Sequence, residues 1–133
     1  MVLGDAVNPF ARHKRMFSER VDVLSVVPGE EDEMAGSTEG TPTPVFEDEP
    51  AYIEDLNAMD VAALSSQGLT VNTFVFLKRD PGPLPEGSRI DILRRAGVDY
   101  ADPDTRPSLR VRRVMVSSLG RAALWRVECQ TRS

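Results

Sequence analysis

With 133 residues, 41% of them hydrophobic and 6% aromatic, the chain has room for one core and some loose segments besides. No run approaches the roughly 18 to 20 apolar residues that a membrane span needs, and the N-terminus MVLGDAVNPFARHKR has no apolar stretch leading to a small-residue cleavage site, so a soluble cytoplasmic product with no membrane partner is expected. The net charge of −5 conceals a split: residues 1–66 carry four Lys/Arg against 14 Asp/Glu, and residues 67–133 carry 12 against seven.

Met1 to Glu19 has weak periodicity and a basic knot (Arg12, His13, Lys14, Arg15) between Phe10 and Phe17, which predicts an extended N-terminal arm outside the core. A single β domain is expected from residue 20 to residue 130. Arg20–Val27 (RVDVLSVV) is a strand stopped by Pro28-Gly29. Residues 28–44 collect Gly, Ser, Thr, Pro and acids without apolar spacing and predict a long flexible acidic loop. AYIEDL is a second strand, introduced by Pro50. Asn57–Gln67 predicts a short helix or turn with Gly68 as its stop. In the next strand Val71, Thr73, Val75 and Leu77 share one face, and Asn72, Phe74 and Phe76 the other.

Asp80–Gly87 holds three prolines and two glycines and reads as a stiff turn. Beyond it Ile90 and Ile92 pair on one face, and Arg94–Ser108 is expected to be irregular. Leu109–Ser118 and Ala122–Gln130 predict a closing hairpin around Leu119-Gly120. In its second strand Ala123, Trp125, Val127 and Cys129 alternate with Leu124, Arg126, Glu128 and Gln130, which makes Trp125 the leading core candidate. The fold class is therefore mainly β: a small antiparallel barrel or sandwich with long loops.

Little here carries chemistry. One His and one Cys exclude the usual zinc sets, and Cys129 falls on the apolar face, where a thiol is packing material. Glu30, Glu31, Asp32, Glu33 and the run Glu47, Asp48, Glu49 sit in loop-like surroundings with no calcium-loop pattern, and no phosphate-binding glycine loop occurs. No catalytic residue, metal or cofactor is expected. From Glu30 to Asp60 there are eleven acids and no base, a density that repels a nucleic-acid backbone. Arg106, Arg110, Arg112, Arg113, Arg121 and Arg126 form the basic counterpart; by alternation Arg110 and Arg112 share a face and Arg113 takes the other. Acid-rich loops on one copy and Arg110, Arg112, Arg113 and Arg126 on the next are candidate subunit contacts, since charge complementarity sets register. An alternative is a small β-barrel interaction or nucleic-acid-binding module.

The succession of a basic arm, RVDVLSVV, a long loop, a strand near AYIED, the unit PLPEGSRIDIL and a hairpin ending ALWRVECQ resembles the head-closure (stopper) and head–tail joining proteins of long-tailed bacteriophages, over roughly Lys14 to Gln130. The resemblance implies a virion structural protein, assembled in the host cytoplasm and resident in the neck. It would form a homo-oligomeric ring of six copies between the portal-side adaptor and the tail or tail-terminator protein, helping to close the head after packaging. DNA would pass through the channel without specific binding, and Glu30, Glu31, Asp32 and Glu33 are candidate channel-facing or docking acids.

Overall fold

A computed structural model describes residues 17–27, 31–32, 36–37, 41–119 and 122–131. Their strands are β1 (Glu19–Val26), β2 (Glu31–Asp32), β3 (Gly36–Ser37), β4 (Pro42–Asp55), β5 (Thr73–Leu77), β6 (Arg89–Arg95), β7 (Val98–Asp99), β8 (Ser108–Leu119) and β9 (Ala122–Thr131), with one helix, α1 (Ala58–Ser66). β1, β4, β5, β9, β8 and β6 follow one another as antiparallel neighbours, and β6 pairs back onto β1 through Val21↔Ile92 and Val23↔Ile90. That last pairing closes the sheet into a six-stranded barrel, leaving β7 outside against β6. Closure removes the free edges that two stacked sheets would expose.

The period-2 pattern of each strand supplies the interior: Val21, Val23, Ile53, Val75, Leu77, Ile90, Ile92, Leu109, Val111, Val127 and Cys129 form one buried cluster. At about 25 cal/mol per Å² of apolar surface withdrawn from water, this cluster is the main favourable contribution to folding. The alternation expected for residues 71–77 and 90–92 is present, since Val71, Thr73, Val75, Leu77, Ile90 and Ile92 are all buried. Trp125 is a correction: it is only half-buried at the rim of the cluster, whereas Leu124 and Glu128, on the opposite face of β9, are fully buried. A second, smaller core on the outward side of the barrel claims that other face.

Three further expectations change. β4 begins at Pro42, inside the stretch expected to be loop, and Pro42, Pro44 and Pro50 all lie where β4 has β1 as its partner but does not yet pair with β5, so no ladder on the other side loses a donor. Within residues 28–44, β2 and β3 form a two-residue ladder, Glu31↔Ser37 and Asp32↔Gly36; the expected flexibility of this segment falls largely outside the described residues, as do residues 1–16 of the arm with His13, whereas Phe17, expected outside the core, is buried and Glu19 opens β1. The span 94–108 contains a tight hairpin, with Ala96 and Gly97 at φ 52° and 78° between the paired Arg95 and Val98, the signature of a type I′ turn.

The connections seal the barrel. β5 and β6 lie on opposite sides of the ring, so the proline-rich segment between them must cross one end, where Pro81 is buried and Leu84 packs on the core. Its far end is stitched down: Gly87 N–H donates to Val111 O at 2.9 Å, Val111 N–H to Ser88 O at 2.7 Å, and Val26 N–H to Ser88 Oγ at 3.1 Å. At the other end Asn57 Oδ1 caps α1 by accepting from Asp60 N–H at 2.8 Å. α1 buries none of its residues, and Met59 is 83% exposed. Asn72 ties β5 to β9, donating through Nδ2 to Thr131 Oγ1 at 2.8 Å and accepting from Thr131 N–H at 3.1 Å.

Candidate functional site

The most organised polar ensemble sits on the outward face of β4, β5, β9 and β8. Cross-strand pairing lines up Tyr52, Phe76, Arg126 and Met115 in one row and Glu54, Phe74, Glu128 and Arg113 in the next. Tyr52 and Phe76 stack with centroids 5.7 Å apart, Phe74 meets Phe76 edge to face at 6.2 Å, and the Arg126 guanidinium lies 4.7 Å from the Phe74 centroid. Glu128, 0% exposed, is held from both sides: Arg113 Nε donates to Oε1, and Arg126 Nη2 lies 3.3 Å from Oε2. Desolvation pushes the Tyr52 hydroxyl above its usual range, with the charges of Glu54 and Glu19 adding to the effect.

The register on this face corrects the arginine assignment. A bulge between Val111 and Arg113 inserts one residue, so Arg110 (opposite Gln130) and Arg113 (opposite Glu128) share the outward face rather than opposing ones. Of the four candidate contact arginines, Arg113 and Arg126 are committed to Glu128 and Arg112 to Glu86 at 3.1 Å, leaving Arg110 exposed and without an ion partner among the described residues. Arg106 donates to Tyr100 O at 3.1 Å and serves its own loop. Arg121 lies outside the described residues.

The acids divide similarly. Glu47, Asp48 and Glu49 are part of β4, not a loop, and Glu47 and Asp48 form a bulge opposite Asp22. Asp48, at φ 53°, accepts from Arg20 Nε at 2.9 Å, and this hydrogen bond holds its carboxyl below the usual range. Glu49 lies directly opposite Val21, on the inward row, and is buried under a two-pronged pair with Arg79, whose guanidinium also sits 4.2 Å from the Phe46 centroid. Glu19 accepts from Ile53 N–H at 2.8 Å, and Arg95 bridges it at 3.6 Å to Asp55 at 2.9 Å. Glu19, Glu49 and Asp55 of the first half of the chain are thus paired with arginines of the second half, while Asp48 pairs with Arg20 of its own half. Glu30 and Glu33 lie outside the described residues, and Glu31 and Asp32 are described only through their backbone pairing.

Cys129 is buried, and burial pushes its thiol far above the range in which it ionises. Among the described residues no group of three or more His, Cys, Asp and Glu is arranged to hold a metal, and no helix is long and apolar enough to cross a membrane. What the arrangement offers is contact surface. β9 stays paired with β5 as far as Trp125, so the β8–β9 ladder runs past the barrel beyond Val116↔Trp125; Val116 is 64% exposed there, and Met115 is exposed on the outward row beside Arg126. The pairing of Arg113 with Glu128 escaped the sequence reading because it depends on the bulge at Arg112, whereas Phe74 and Phe76 share a face by simple alternation; the readable signal for the charge cluster was Glu128, the lone acid of β9. A scan against protein-family models and a search of curated proteins gave no match for the chain.

Proposed function

We propose that the protein is a structural, non-enzymatic subunit of a long-tailed phage neck, forming a ring between the portal-side adaptor and the tail and helping to close the head after DNA packaging. The observation that supports this reading is a closed small barrel whose β8–β9 ladder runs on beyond Val116↔Trp125, where the pairing of β9 with β5 ends, with Val116 64% exposed there beside the exposed Met115. An exposed apolar ribbon end of this kind suits docking against a neighbour. Arg110, exposed and without an ion partner among the described residues, is the basic contact remaining for an adjacent copy. Glu30–Glu33 are the acids that would face the channel or a docking partner, where a repulsive wall lets a polyanion slide.

Electron microscopy and mass photometry of the purified chain, alone and mixed with packaged tailless heads, test the reading. Rings with an open centre, and their addition to the head vertex, are expected. A chain that stays monomeric and binds duplex DNA tightly would overturn it in favour of a nucleic-acid-binding module.

A further inference from the structure

A closed barrel still leaves strand edges where its longer strands outrun their neighbours, and each such edge is a row of backbone donors and acceptors open to another strand. Among the described residues the long ones belong to β4 and β8. β4 has no β5 partner from Pro42 to Pro50, and that edge is blunted. Val26 N–H is spent on Ser88 Oγ, so Val26↔Pro42 is not a hydrogen-bonded pair, and Pro42 and Pro44 turn toward the free side nitrogens that carry no hydrogen. A bulge at Glu47 and Asp48 bends the rest. β8 has no such defence. It pairs with β6 only as far as Arg110, and after the bonds of Val111 to Gly87 and Ser88 its side away from β9 is unpaired among the described residues from Arg113 to Leu119. Cys129 O accepts from Asn72 N–H, which turns the Cys129 backbone toward β5; by alternation Glu128, Arg126 and Leu124 turn theirs to β8, where they meet Arg113, Met115 and Ser117. The backbone groups of Val114, Val116 and Ser118 therefore point off the free edge.

We propose that this edge takes the same edge of a second copy, the two β8 strands pairing antiparallel about a two-fold axis at Val116 and joining two barrels through one continuous sheet. Val116 is the midpoint of the free segment Arg113–Leu119, so the segment is its own complement. Val116 faces Val116 and Val114 faces Ser118, each pair exchanging both hydrogen bonds, while Met115 comes opposite Ser117 and Arg113 opposite Leu119. Charge selects the direction: the segment's one charge, Arg113, is committed to Glu128, and antiparallel order sets it against an uncharged residue, whereas parallel order would stack it on its own mate. The otherwise uncharged edge has nothing to hold a charged strand, and a second copy supplies an uncharged one of matching length. Val116, 64% exposed in the single chain, gains its mate as cover. A two-fold contact closes on itself and cannot propagate a ring, so this pairing is separate from the neck reading and holds or fails by itself.

Sedimentation and amide exchange of the full chain test it. Between about 1 and 100 μM the copies should associate in pairs, and the amides of Val114 and Val116 should exchange about tenfold or more slowly once paired, while that of Met115, already turned to β9, stays unchanged. Val116→Lys sets two ammonium groups against each other and should abolish the pairing, with the fold kept because this side chain lies largely in water. Val116→Cys puts two thiols on α-carbons about 5.5 Å apart, within disulfide reach, and mild oxidation should link the copies while the buried Cys129 stays reduced. A chain that stays single at about 100 μM would overturn the proposal. Association that survives Val116→Lys would equally overturn it, and if the surviving species are rings the neck reading stands without it. Association lost with Val116→Lys but giving no cross-link with Val116→Cys would hand the edge to a different strand of the neighbour and overturn the two-fold pairing.

Discussion

Glu128 and its two arginines are unequal partners. Arg113 and Arg126 keep 42% and 29% of their side-chain surface and can turn back to water, whereas Glu128 is wholly enclosed. Removing an arginine therefore strands a buried charge, while neutralising the acid releases two cations toward solvent. Arg113→Ala is expected to cost up to about 3 kcal/mol and Glu128→Gln about 1 kcal/mol. Urea denaturation of both variants measures the order, and a costlier Glu128→Gln would mean that the arginines, not the acid, are the trapped charges.

At the scale of elements, the β6–β7 hairpin carries a correctable strain. Ala96 holds φ 52°, where its Cβ is unfavourable, while Gly97 at 78° is at home. Ala96→Asn converts the turn to Asn-Gly and should stabilise the protein by about 0.5 to 1 kcal/mol, read as a higher melting temperature.

The barrel end held by Glu19 has a pH signature. Burial raises its carboxyl above the ordinary 4.5, outweighing the Ile53 amide and Arg95, which lower it, while Asp55 raises it further. A raised folded-state value means that the native protein binds the proton more tightly than the unfolded chain, so this contribution is present in acid and lost as pH rises through the folded value. Glu19→Gln keeps the acceptor for Ile53 N–H and removes the titration. Its stability relative to the wild type should increase between about pH 4 and pH 7. Asp48, held low by Arg20, titrates in both proteins and cancels in the comparison. A constant difference across that range would show that Glu19 is not desolvated.

Across the whole molecule, most arginines of the described residues are paired within the chain. Arg79 answers Glu49 and Arg95 answers Glu19 and Asp55 across the two halves, and Arg113 and Arg126 answer Glu128 within the second, on a chain whose net charge is −5. Among the described residues few arginines are left to release counterions from a phosphate backbone. Binding to duplex DNA at physiological salt is expected to be weaker than about 100 μM, at the weak end of nonspecific affinities. Fluorescence anisotropy titration measures it, and submicromolar, salt-dependent affinity would contradict the internal pairing. On the proposed neck reading, replacing Glu30, Glu31, Asp32 and Glu33 with lysine should slow DNA ejection or disturb the ring, checked by ejection assays and microscopy.

What the sequence determined by itself is local: alternation in Val71–Leu77 and Ile90–Ile92, the breakers at Pro28-Gly29 and Asp80–Gly87, the helix between Asn57 and Gly68, and the terminal hairpin. Each follows from the preferences of neighbouring residues, which a linear reading can weigh. Tertiary structure alone decided that β6 returns to β1, which makes a barrel of what could have been a sandwich, because strand pairing between distant segments leaves no local mark. It also decided that a single inserted residue at Arg112 brings Arg113 to Glu128, and that Leu124 rather than Trp125 is fully enclosed. Both faces of β9 are covered, one by the barrel interior and one by the outward aromatic layer around Phe17, and alternation reports that faces differ without saying which of them will be dry.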